Sequence, residues 1–153
     1  MKQLSILLLA CMTSISFGQT KTFNGEYPMS GIFKWVKGKA KYSYTEADSI
    51  KIKDGTFTFS ANMKGTEFGQ SSRARFSLLV SGFYKNNLKD GVWSHKTTIE
   101  NMEMAGNTVL LANVSHDNGI PNGVWTLQGT ENGTGVVMQD ISLNFVRDRK
   151  SVV

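Results

Sequence analysis

The chain has 153 residues, of which 40% are hydrophobic, enough for one ordinary domain with its own core. Its single cysteine, Cys11, excludes an internal disulfide framework and a thiolate-based zinc site. The net charge of +5 comes from lysines scattered along the chain, which reads as a solvated surface and argues against a nucleic-acid partner.

Residues 1–18 read as an export signal. Lys2 supplies the positive start, Leu4 to Ala10 is apolar, and Ser16-Phe17-Gly18 offers small residues for cleavage before Gln19. The alternative is acylation, because Leu8-Leu9-Ala10-Cys11 resembles a lipobox whose cysteine becomes a lipid anchor. The apolar run is far short of the ~20 residues that a spanning helix needs, and no later segment is longer or more apolar. The expected product is a protein outside the cytoplasm: periplasmic, secreted or associated with the outer membrane. Residues 19–153 are expected to form a single domain.

From there on, the hydrophobic pattern has period two. Ile50 and Ile52 alternate with Lys51 and Lys53, and Phe57, Phe59 and Ala61 with Thr56, Thr58 and Ser60. Ile141, Leu143 and Phe145 alternate with Ser142 and Asn144. Such alternation is the signature of strands with one face to a core and one to water. The pattern predicts strands at 22–27, 31–36, 40–45, 49–53, 56–61, 74–84, 91–100, 108–115, 123–128 and 136–146. Asp54-Gly55, Asp90-Gly91 and Asn122-Gly123 pair a residue tolerant of positive φ with glycine, the preference of a tight hairpin turn. Asn118-Gly119 is another such signal, while 46–49 and 65–73 read as longer connections. Short turns between consecutive strands predict an all-β fold: an antiparallel meander of repeated β-hairpins forming an elongated twisted sheet.

The turns belong to a repeat. Tyr84-Lys85-Asn86-Asn87-Leu88-Lys89-Asp90-Gly91-Val92-Trp93 aligns with His116-Asp117-Asn118-Gly119-Ile120-Pro121-Asn122-Gly123-Val124-Trp125. Looser copies keep only the glycine and the aromatic, at Gly31 with Phe33 and at Gly55 with Phe57. The glycine, a turn and a following aromatic resemble the MORN repeat, and more closely its exported Bacteroidetes-type variant, an antitoxin-like repeat family. The resemblance covers about half of the exported part. It departs from the family pattern at Asn87, where glycine is usual, and at His116, where tyrosine is usual. It implies stacked hairpins in which Trp93 and Trp125 occupy equivalent sites and Phe33 and Phe57 continue the row. Members of the family are described as scaffolds, membrane-associated modules or antitoxin-like proteins, so the resemblance speaks to fold more than to activity.

Catalytic patterns are weak. His95 and His116 each have no other His or Cys at metal-ligand spacing, and Ser94-His95 lacks the elbow of a serine hydrolase. Gly129 to Gly135 is glycine-rich but has no lysine and no following helix, as a phosphate loop requires. No cofactor or metal is expected. Tyr42, Tyr44, Trp93 and Trp125 are either core or a stacking platform. The expected function is a non-enzymatic binding or scaffold module of the envelope or exterior, using a repeated sheet surface toward an envelope protein or polysaccharide. The alternatives are a glycan-acting hydrolase or glycan-binding protein, with carboxylates gathered from separate strands, and an antitoxin-like module that neutralises a protein.

Overall fold

The computed structural model describes residues 19–30, 35–68, 74–101, 106–132 and 137–145. The export signal, the lipobox cysteine Cys11, and the repeat positions Gly31 and Phe33 lie outside these residues.

The fold is an all-β antiparallel meander. Eight strands form one sheet in sequence order: β1 (Lys21–Ser30), β2 (Trp35–Ala47), β3 (Ile50–Lys64), β4 (Ala74–Lys85), β5 (Leu88–Asn101), β6 (Gly106–Asp117), β7 (Ile120–Asn132) and β8 (Val137–Phe145). The sheet is not closed into a barrel. A single 3-10 turn, Gly65–Phe68, follows β3. No helix among the described residues is long and apolar enough to cross a membrane.

The strands are fewer and longer than the sequence pattern predicts: Trp35 and Val36, expected to end a strand at 31–36, instead open the strand that holds 40–45. Asp54-Gly55, Asp90-Gly91 and Asn122-Gly123 are not hairpin turns. They lie inside β3, β5 and β7, and the chain passes through them without reversing. The stretches 49–53 and 56–61 therefore join as one strand. The actual turns sit four to six residues earlier, at Asp48-Ser49, Asn86-Asn87 and Asn118-Gly119, where both central residues have positive φ. That is the type I′ geometry that matches strand twist.

The two faces of the sheet differ sharply. Residues at every second position of β1–β5, among them Met29, Ala40, Tyr42, Phe59, Phe76, Leu78 and Val80, form a buried cluster with Phe57 and Trp93 at its heart. Their alternates face water. The far end of the β1–β2 hairpin reaches the same side of the molecule as β4 and β5: Tyr27, Met29 and Trp35 line a 200 Å³ cavity with Phe57, Tyr84, Lys89 and His95. A single sheet thus supplies both the floor and part of the cover of its own core.

Candidate functional site

Gly55, Gly91 and Gly123 each mark a bulge. Tyr42 pairs with Phe57 and Tyr44 with Lys53, so Ser43 alone faces the three residues Asp54, Gly55 and Thr56. Ser81 pairs with Ser94 and Phe83 with Asp90, leaving Gly82 against Gly91, Val92 and Trp93. Val114 pairs with Trp125 and His116 with Pro121, leaving Ser115 against Asn122, Gly123 and Val124. Two extra residues in each case keep the alternation in phase, so the same face stays buried on both sides. Gly55 (φ 114°), Gly91 (φ 66°) and Gly123 (φ 77°) carry the positive φ. The expectation of positive φ at these glycines holds; a bulge, not a turn, demands it.

The bulge aims the aromatic that follows. Trp93 Nε1 donates to the Phe83 carbonyl at 3.1 Å, and Trp125 Nε1 donates to the Ser115 carbonyl at 3.2 Å. These are equivalent bonds in successive units. The units are also tied to each other at their turns. The Asn87 amide donates to the Lys53 carbonyl at 2.8 Å, and the Gly119 amide donates to the Lys89 carbonyl at 2.7 Å. The side-chain oxygen of Asn87 accepts from the Lys53 amide at 2.7 Å.

Burial separates the equivalent positions. Phe57 and Trp93 are 1% and 0% exposed, whereas Trp125 is half-buried. Phe57, Tyr84 and Trp93 pack with ring centroids 4.9–5.5 Å apart. Trp93 also lies directly on Gly82, where an added Cβ would sit 2.3 Å from the indole. Trp93 therefore cannot serve as an exposed stacking platform. Tyr42 is buried and Tyr44 half-buried, with rings 6.2 Å apart.

Lysine completes this cluster, which the sequence reading did not foresee. The Lys53 ammonium donates to the Tyr27 hydroxyl at 2.8 Å and lies 4.9–5.1 Å from the ring centres of Tyr27, Tyr42 and Tyr84. Lys89, at the matching position of the next unit, lies 4.5 Å over Trp93. Cation–π attraction and burial of the aliphatic stem let lysine roof an aromatic floor. The only sequence signal is that Lys53 and Lys89 each precede a bulge glycine by two residues.

Burial controls the titration of this region. It pushes the Tyr84 phenol up to about 12, with Tyr27 and Tyr42 adding to the effect. It lowers Lys89 and pulls His95 down to about 4, helped there by the charges of Lys89 and His116. His95 shares the Trp93 face, as their spacing of two predicts. His116 is also lowered by burial and makes a 3.2 Å contact with the Val114 carbonyl. Among the described residues, no three metal-binding side chains gather.

The opposite face is mixed, with Leu79, Phe83, Val92 and Val124 exposed among polar residues. From β1 to β8, one transverse row reads Asn24, Lys41, Thr58, Ser81, Ser94, Asn113, Thr126 and Ser142. The Asn113 amide reaches the Thr126 hydroxyl at 3.4 Å within it. Along this row an open groove of 510 Å³ runs over the sheet, lined by Lys39, Lys41, Lys96, the hydroxyls of Thr58, Ser60, Ser81 and Ser94, and the apolar Leu79 and Leu111. A second groove, of 560 Å³, holds Lys64, Arg75 and one carboxylate, Glu100. Neither brings two carboxylates together.

No protein-family model matches the chain, and no curated protein or solved structure does.

Proposed function

We propose that the chain is an exported, MORN-like, non-enzymatic module of the cell envelope that binds through the open face of its sheet. One observation carries this reading. Phe57 and Trp93 of the repeat are spent on a core, while alternate positions of the same strands carry one unbroken row of polar residues across eight strands. A sheet that packs one face and leaves the other open is a binding platform whose chemistry is set by its outward residues. The grooves there hold lysines and hydroxyls, without the carboxylate pair that hydrolysis of a glycan would need.

The test has two parts. Intact mass of native material reads the export step: a chain starting at Gln19 or an acylated Cys11 supports it, and full-length protein in the cytosol overturns it. Affinity capture from envelope extracts then reads the role. A stoichiometric protein partner or retention on polysaccharide supports a binding module. Turnover of an envelope glycan, abolished by one carboxylate substitution, overturns it.

A further inference from the structure

We propose that the groove lined by Lys39, Lys41 and Lys96 is a binding site for an extended acidic polysaccharide, a polymer carrying carboxylate or sulfate groups on its sugars. The inference rests on the binding-module reading and specifies its ligand.

Three observations converge on this surface. The first is unbalanced charge. Around the groove the open face carries Lys37, Lys39, Lys41 and Lys96, all exposed, against Glu26, which faces Lys39 across β1 and β2. The ion pair of Lys21 with Glu46, at 2.7 Å, lies by the hairpin tips and engages none of these groups. Exposed like charges repel one another, and a polyanion relieves that repulsion.

The second is spacing. Lys37, Lys39 and Lys41 occupy alternate positions of β2, so they project from one side at intervals of about 7 Å. Lys96 stands on β5, three strands away, or about 14 Å across the groove. Cations thus line both sides of a trough.

The third is the hydroxyl and amide ladder between them. Thr58, Ser81 and Ser94 form a polar floor with neighbouring rungs about 5 Å apart. Such groups both donate and accept, which suits a polyol. A bilayer would instead favour a wide apolar patch to insert, whereas here single apolar side chains, Leu79 and Leu111, lie among the lysines and hydroxyls.

The probe is alginate, a carboxylated linear polymer, in affinity electrophoresis of the mature chain, with neutral dextran as the uncharged control. Wild type is expected to be retarded by alginate and not by dextran, less so as salt rises. The exposed substitutions Lys39→Gln, Lys41→Gln and Lys96→Gln together should weaken binding by about tenfold or more, since each removes a surface ion pair. A control of equal charge change, Lys21→Gln, Lys51→Gln and Lys85→Gln, should change it by less than about threefold. Unchanged thermal melting shows that both variants fold.

Equal loss in the two triple variants, or no retardation of wild type, overturns the site. Tighter binding to phosphatidylglycerol vesicles than to alginate also overturns it, in favour of a membrane surface. If alginate fails while a protein partner is captured, the binding-module reading survives alone. If the groove binds alginate and reducing ends accumulate, the site stands and the non-enzymatic reading falls.

Discussion

Trp93 and Trp125 are the same residue in the same motif, with the same bulge before them and the same indole hydrogen bond, yet one is sealed and the other is half open. The difference lies in three matching positions. Trp93 lies on Gly82, beside Tyr84 and under Lys89. At the corresponding places around Trp125 are Val114, His116 and Pro121. Valine puts a side chain where glycine leaves room for the ring, histidine offers less area than tyrosine, and proline has no ammonium to roof it. The lesson is that a repeat motif fixes backbone geometry and ring direction, while its neighbours decide how much the ring contributes.

That comparison predicts unequal costs. Trp93→Ala should destabilise by about 3–5 kcal/mol, as for a fully packed aromatic, and Trp125→Ala by about 1–2 kcal/mol. Urea denaturation of both variants checks this. Equal losses would mean that the half-open site is packed after all. Gly82→Ala should cost about 1–3 kcal/mol, because the new methyl group overlaps the indole and something must move. Its signature is a red shift in tryptophan emission that Trp93→Phe removes. Val114→Gly, the reverse exchange in the other unit, should give no red shift.

A third difference is a histidine. His95 occupies the place that Phe59 and Leu127 hold in the neighbouring units. Its folded pKa of about 4 lies below the unfolded value near 6.5, so the unfolded chain binds more protons between those limits. Stability contributed by neutral His95 is therefore complete above about pH 6.5 and is lost as pH falls toward 4. Allowing for its partial contact with solvent, the loss should be about 1–2 kcal/mol. His95→Leu should flatten that slope in thermal melts taken across the window. The smallest effect belongs to Gly91→Ala, at about 1 kcal/mol. No atom lies within 4 Å of the new Cβ, so positive φ alone accounts for it. Gly91→Asn should restore part of the loss, because asparagine tolerates that region.

The fold class was legible because alternation reports directly which strand residues meet a core, and Phe57-Thr58-Phe59 leaves little choice. The turns were misplaced because Asp-Gly and Asn-Gly report a need for positive φ, which a bulge shares with a hairpin. Asp48-Ser49 and Asn86-Asn87 make real turns without glycine, so the stronger signals drew attention to the wrong places. The lysine roof was illegible for a related reason. Lys53 meets Tyr27, Tyr42 and Tyr84 only through cross-strand register, and the bulge sets that register. The basic face was hidden as well: Lys39, Lys41 and Lys96 are scattered in sequence and gather only when the strands align.

The meander gives the molecule a direction of growth. Each strand's main contacts are with the strand before it and the strand after it, so most contacts close short loops of chain. Such a sheet can zip up hairpin by hairpin, without waiting for distant segments to meet. It can also lengthen by duplication of a single hairpin at its end, since a new turn needs only a backbone carbonyl like those of Lys53 and Lys89 to dock on. Damage is equally local: loss of the last hairpin exposes the edge of β6, which still covers β5 and the aromatic core.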